Sequence, residues 1–471
     1  MLPAVVDRRR FLRNAGLGFG TIALASLLHD DGLLASDTAV DPLAPKKPHF
    51  EAKAKRVIFL FMSGGPSHID TFDPKPELTR LHGQPLPASF GPVKTRRGVE
   101  KNKLLASSRQ FRQYGHSGIA VSDWFPHLAQ CVDDICFLRG CYGDSVTHPE
   151  SVYLMNTGSI LMGRPSLGAW VSYGLGTENR NMPAFVVLPD PGGWVKGGSP
   201  AWGGGFLPTV HQGTVIKGGP TPIEHLAPPS GVSTAQQRKT LDFIAESNRD
   251  HLAARGGDTE LAARIAAYEL AYRMQSQAPE LVDLSQETET TKRLYGLDQK
   301  ETAEFGTRCL LARRMVERGV RFVQLYCGDT NGWDGHSHLD ENHSRLARAS
   351  DQPIAALLAD LKRRGLLSET LVIWGGEFGR TPMSEGTTGR DHNPHGFTVW
   401  MAGGGVKGGV VIGSTDDIGL RAATGKAHVH DIHATILHLL GFNHKKLTFR
   451  HNGRNERLTD NGGEVIYEAL A

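Results

Sequence analysis

Two apolar runs in the second half of the chain, each preceded by an amphipathic stretch of helical length, constrain the fold more than any other feature. Residues 305–318 carry apolar side chains at helical spacing and stop at Gly319, and Arg321-Phe322-Val323-Gln324-Leu325-Tyr326-Cys327 follows. The pattern then repeats: residues 351–364 read as helix, Gly365 closes them, and Thr370-Leu371-Val372-Ile373-Trp374 comes next. Glycine just past a helix supplies the left-handed residue that ends it. Short continuous apolar runs rich in β-branched and aromatic residues are strands buried on both faces. Helix, strand, helix, strand with apolar strands means a parallel sheet with right-handed crossovers, an α/β fold. In such sheets ligands gather at the carboxyl ends of the strands.

Earlier residues extend the same pattern. Arg56-Val57-Ile58-Phe59-Leu60-Phe61-Met62 is a buried strand cut off by Ser63-Gly64-Gly65-Pro66. A second strand is predicted at 135–138 and another near 184–188; between them a loop at 144–149 leads into a helix over 150–156 that closes at Thr157-Gly158. Residues 189–230 form a Gly/Pro/Trp-rich insertion without periodic pattern, the signature of a lid or binding loop. Its Trp194 and Trp202 either stack on a sugar or staple the loop. Residues 235–318 predict two or three amphipathic helices covering the sheet. The expected organisation is a signal segment over 1–35, a Pro/Lys-rich linker over 36–54, and one large domain over 55–471.

The signal segment reads Arg8-Arg9-Arg10-Phe11-Leu12-Arg13 before a weakly apolar, Gly-interrupted run from Ala15 to Leu28. Its Arg-Arg-x-Phe-Leu core matches the twin-arginine pattern, so export to the periplasm or beyond is expected, with the twin-arginine translocase as a partner. Cleavage sites are available after Ala25 or Ala35, and apart from this segment, if it is retained as an anchor, no run is long enough to span a bilayer. Lys and Arg number 52 against 49 Asp and Glu, without a long basic block, which argues against a nucleic-acid partner. Cys131, Cys136, Cys141, Cys309 and Cys327 contain no CxxC pair, so they read as small core residues rather than a zinc knuckle.

The chemistry-bearing residues fall at strand ends. His68 and Asp70 follow the first strand; Asp334-Gly335-His336-Ser337-His338 follows Cys327; Glu377-Phe378-Gly379-Arg380 follows Trp374; and Asp391-His392-Asn393-Pro394-His395 comes shortly after. Carboxylates and imidazoles converging from separate strands are the ligand set for one or two divalent cations of the zinc, manganese, iron or calcium type. The candidate ligands are Asp70, Asp334, His336, His338, Glu377, His392 and His395. Arg380 is a candidate for binding an anionic substrate group. Asp431 opens a helix over the His430–Leu440 run, either as its cap or as a site residue.

This order of strands, acids and histidines resembles the alkaline phosphatase superfamily. The phrases Phe-Met-Ser-Gly-Gly-Pro-Ser-His-Ile-Asp-Thr-Phe-Asp-Pro-Lys-Pro from Phe61, Gly-Gly-Glu-Phe-Gly-Arg-Thr-Pro from Gly375 and His-Asp-Ile-His-Ala-Thr-Ile-Leu-His-Leu-Leu-Gly from His430 resemble, more narrowly, the sulfatase-like "domain of unknown function 1501" family. The resemblance implies a three-layer sandwich, with a mostly parallel central sheet and helices on both faces. It also implies a metal-dependent hydrolase of a phosphate or sulfate ester, on a small-molecule or polysaccharide substrate. Phe378 stands where the superfamily usually has a histidine or asparagine ligand. A sulfatase would carry Cys/Ser-x-Pro-x-Arg before Thr157-Gly158, and this chain has His148-Pro149-Glu150-Ser151-Val152 there, so formylglycine chemistry is not supported. The alternatives are a hydroxyl nucleophile at Thr147, Ser145 or Ser151, His148 as ligand or general acid, or direct use of water activated by a metal. A superfamily member without catalysis, serving polysaccharide binding or surface assembly, is the competing expectation.

Overall fold

The computed structural model describes residues 41–217, 231–254, 259–328 and 332–471. The segment read as a twin-arginine signal, with its expected cleavage sites, lies outside them. Residues 42–471 form one compact unit.

Nine strands make its central sheet. In chain order they are β1 (Arg56–Met62), β2 (Ile135–Tyr142), β3 (Phe185–Leu188), β4 (Thr214–Val215), β5 (Phe322–Cys327), β6 (Thr370–Gly375), β7 (Phe397–Ala402), β8 (Val410–Ile412) and β9 (Ala427–His428). Their order across the sheet is β8-β2-β7-β6-β1-β5-β3-β4, with β9 also paired to β2. β1 sits at the centre, parallel to β5 on one side and β6 on the other. Only β7 runs against the rest, between β6 and β2. The sheet is therefore mostly parallel, and the ends of β1, β2, β5 and β6 open on one edge.

Alternation along β1 builds two cores. Ile58, Leu60 and Met62 point into one together with helices Ala303–Glu317 and Leu339–Arg363; Val57, Phe59 and Phe61 point into the other with helices His148–Thr157, Leu167–Leu175 and Val429–Leu439. Helices thus cover both faces of the sheet. Each fully buried leucine, isoleucine or phenylalanine there contributes on the order of 2 kcal/mol of burial free energy, and β1 supplies such side chains to both cores.

Several elements depart from the sequence reading. The helix expected from residue 351 starts at Leu339, because His343, Leu346, Ala347 and Ser350 extend its buried stripe one helical period at a time. Residues 235–318 hold four helices, Thr234–Ala254, Thr259–Val282, Glu289–Leu294 and Ala303–Glu317, and of these the last lies along β5 and β1. No described side chain of Thr234–Ala254 is buried, so it does not cover the sheet. The stretch read as a linker is docked from residue 42 onward: Leu43 packs with Leu270, Met274 and Ala278, and the Lys53 and Ala54 amides donate to Leu439 O at 2.9 Å. Asp431 is a cap, its Oδ2 accepting from His428 N–H at 2.7 Å. The cysteines are free, and four of the five are buried.

Candidate metal centre

The loops leaving β1, β2, β5 and β6 at their carboxyl ends carry Gly64, His148, Asp334 and Glu377 in turn. Two glycines let these loops close on one another. At Gly64, φ is +107°, and a Cβ there would lie 2.6 Å from the backbone nitrogens of Trp333 and Asp334. A side chain at Gly389 would meet His336 O at 1.8 Å. Trp333 N–H donates to Ser63 O at 2.7 Å, and the Asp334 loop is held between the end of β1 and an antiparallel hairpin, Gly379–Glu385 with Gly389–Asn393. That hairpin places Arg380 opposite His392.

Four side chains converge: His148, Asp334, His336 and His392 each offer a donor atom, and these atoms lie within 4.8 Å of one another. His148 Nε2 is 3.0 Å from Asp334 Oδ2; His336 Nε2 and His392 Nε2 are 3.0 and 3.1 Å from Oδ1. The other nitrogen of each ring is already engaged. His148 Nδ1 lies 2.8 Å from Glu377 Oε1, His336 Nδ1 lies 2.5 Å from Glu385 Oε2, and His392 Nδ1 lies 2.6 Å from Val146 O. A carboxylate or carbonyl oxygen only accepts, so each Nδ1 carries a hydrogen, and in the neutral ring this leaves the Nε2 lone pair on the inner side. Three Nε2 atoms thus crowd one carboxylate. The Nε2 atoms of His148 and His336 are buried without a hydrogen-bond partner. Three imidazoles and one carboxylate, with each imidazole oriented by an outer acceptor, fit a divalent cation of the zinc, manganese or iron kind.

The electrostatics keep His392 in ligand form. Burial lowers the His392 imidazole to about 2, so it stays neutral. Burial alone would raise the Asp334 carboxyl, but the charged groups around it, the Arg380 guanidinium among them, outweigh burial and hold it well below the usual carboxylate range. Two cations also touch Asp334: Arg380 Nη2 donates to Oδ1 at 2.8 Å and Lys196 Nζ to Oδ2 at 2.7 Å.

The remaining sequence candidates sit elsewhere. Asp70 receives Arg390 at 2.9 Å and Ser67 Oγ at 2.5 Å, a buried ion pair apart from the convergent donors. His338, at φ +49°, turns a side chain that is 71% exposed toward Glu341. His395 hydrogen-bonds the Lys94 backbone. Glu377 lies behind His148, accepting also from Gly64 N–H at 2.9 Å. Arg380 is fully buried, its donors directed to Gly64 O, Gly65 O, Arg390 O and Asp334, so it braces the loop rather than facing a substrate. Thr147 is the N-cap residue of the His148 helix, and its hydroxyl lies 3.2 Å from Ser145 Oγ. Phe378 stacks on His392 with ring centroids 4.4 Å apart and walls the imidazoles in.

Sequence reading missed Lys196 and Glu385. Lys196 lies in the long insertion, where a single lysine among glycines carries no periodic signal. Glu385 is a hairpin away from His336 and is placed only by the turn. In that insertion Trp202 packs against Tyr326 at 5.6 Å, whereas Trp194, two residues from Lys196, is 73% exposed. A second grouping, His336, Glu385 and Asp391, has its carboxylates already occupied by Arg97, at 2.8 Å to Glu385 and 2.7 Å from backbone N–H to Asp391.

Fold and site together define an α/β protein with helices on both faces of a mostly parallel sheet and a candidate metal-binding cluster at its strand ends. The chain belongs to the family described as "Protein of unknown function (DUF1501)", whose model matches residues 54–470. No curated protein matches the sequence significantly. Among solved structures, the PsFucS1 sulfatase from Pseudoalteromonas sp. aligns over 90% of this chain and 71% of its own at 13% identity, TM-score 0.35. The lipoteichoic acid synthase LtaP from Listeria monocytogenes aligns over 93% and 82% at 10% identity, TM-score 0.35. A magnesium-bound mutant of TAB5 alkaline phosphatase aligns over 83% and 99% at 10% identity, TM-score 0.34. Among the described residues, no helix is long and apolar enough to cross a membrane.

Proposed function

We propose that this protein is a metal-dependent hydrolase of a phosphate or sulfate ester, exported by the twin-arginine route. The observation that carries the reading is the convergence of the Nε2 atoms of His148, His336 and His392 on Asp334, each ring held by an outer acceptor at Nδ1. His148, Asp334, His336 and His392 would hold the cation. A divalent ion there acts as a Lewis acid on the ester oxygens. The protein's own groups prepare that site. Glu377, Glu385 and Val146 O fix the imidazole tautomers, Arg380 places Asp334, and Phe378 excludes water from one side. Thr147, at the start of the His148 helix and with no capping bond from its side chain, offers the nearest hydroxyl in sequence for attack on the ester.

A second reading, a binding or surface-assembly protein without catalysis, draws on Lys196 and Arg380: two cations already balance Asp334. Purified mature protein should contain stoichiometric divalent metal by plasma mass spectrometry and turn over at least one of a panel of aryl phosphates, phosphodiesters and aryl sulfates. Asp334→Ala and His336→Ala should lose both. Absence of metal together with absence of turnover in the wild type would reject the hydrolase in favour of the second reading.

A further inference from the structure

Residues 94–99 form a loop strapped to the hairpin beside the candidate centre. His395 hydrogen-bonds the Lys94 backbone, Arg97 N–H donates to Asp391 Oδ2 at 2.7 Å, and the Arg97 guanidinium pairs with Glu385 at 2.8 Å. Thr95 and Val99 are buried, and Thr95 Oγ1 accepts from Val99 N–H at 2.9 Å while donating to Glu100 Oε2 at 2.6 Å. Between these anchors Arg96 is exposed, with Nη1 3.4 Å from His392 Nδ1. That nitrogen has no lone pair to offer, because its hydrogen goes to Val146 O. Among the described residues no carboxylate pairs with Arg96, nor with the neighbouring Lys94. An arginine fork is shaped for a two-oxygen anion, and the protein supplies none.

A solvated arginine on a free loop would carry no meaning. Arg96 is different because the next residue, Arg97, is tied through backbone and side chain to the hairpin that holds His392, and the preceding residue, Thr95, is buried. Its position also sets it apart from the reacting group: His392 turns Nε2 to Asp334, and Arg96 stands at the opposite, Nδ1 edge, one ring's width away. We infer that Arg96 receives a second anionic group of the substrate, adjacent to the ester held at the centre. The substrate class is then a di- or polyanionic ester, bearing more than one sulfate or phosphate. The word ester rests on the hydrolase reading; the anion contact does not.

Calorimetric binding separates the two. The probes are a disulfated against a monosulfated disaccharide, and glucose 1,6-bisphosphate against glucose 6-phosphate, so the two arms distinguish sulfate from phosphate. Wild-type protein should prefer the doubly substituted member of at least one pair by about 10- to 100-fold, the span of one charge-assisted bidentate contact. Arg96→Ala should erase that preference while binding the singly substituted probe as the wild type does. Arg96→Lys should keep part of it, and Arg450→Ala, an exposed arginine elsewhere, should keep all of it. A preference that survives Arg96→Ala, or a wild type with no preference in either pair, overturns the inference. A wild type that discriminates through Arg96 and hydrolyses nothing upholds it and removes the hydrolase reading instead.

Discussion

The buried charges around Asp334 and those around Asp360 obey opposite rules. Asp360, on the buried face of helix Leu339–Arg363, faces Arg313 at 3.1 Å, Arg363 at 2.5 Å and Arg364 at 3.0 Å, and Tyr295 donates its hydroxyl to it at 3.1 Å. Burial and the Asp360 charge push the Tyr295 phenol well above its ordinary range, so it stays a donor. Arg313 is balanced in turn by Glu287 and Glu317, each at 2.7 Å. Cation meets anion at each of these contacts. At Asp334 three imidazole Nε2 atoms crowd one carboxylate that Arg380 and Lys196 also contact, and two of those nitrogens are buried without a hydrogen-bond partner. A buried polar cluster therefore marks a ligand site when its donors and acceptors fail to match, not merely when it is dense.

The largest test of that contrast is Asp360→Ala. Removing the anion at the centre of a buried ion network leaves Tyr295 without its acceptor and Arg313 with one partner fewer, a loss of about 3–5 kcal/mol, read in denaturant unfolding; metal content should not change. If metal content falls with it, the two clusters are one cooperative unit and the contrast fails.

Glu377→Gln probes the other side with a smaller effect. It keeps the shape behind His148 but removes the charge that orients the ring, and metal affinity should fall about 10- to 100-fold, the usual cost of losing an outer partner of a ligating histidine. Titration with a competing chelator measures it, and unchanged affinity would mean that Glu377 does not orient a ligand.

Acid should act more gently, and through the histidines near the centre. Burial lowers His68 to about 4 and His343 to about 3, whereas both titrate near 6.5 when unfolded. The unfolded chain binds more protons below that value, so stability is full above pH 6.5 and declines as pH falls. Each contributes a loss of about 1 kcal/mol between pH 6.5 and 5.5. His343→Gln should flatten the dependence of the melting temperature on pH over that window, and an unaltered slope would place the sensitivity elsewhere.

Strands were readable wherever both faces are buried, because continuous apolar runs such as Arg56–Met62 and Thr370–Gly375 permit little else. Helix starts were less readable. Leu339 lies behind a run of polar residues, and its helix shows itself only once His343 and Ser350 are seen to be buried. At the site, the candidates Asp334, His336 and His392 converge with His148, and Asp70, His338 and His395 do not. Residue type cannot separate these groups. Asp70 and Asp334 each follow a strand, and the difference is that Arg390 reaches one of them in bidentate fashion.

Taken alone, the sequence determined the layered α/β architecture and the edge of the sheet where chemistry collects, since hydrophobic period and strand polarity are local properties of the chain. Which histidines share a carboxylate, which nitrogen of each ring carries the hydrogen, and that Arg96 stands unpaired beside them were decided by the tertiary structure. Those relations run between loops from β1, β2, β5 and β6, brought within hydrogen-bond distance by the sheet and by the close approaches at Gly64 and Gly389.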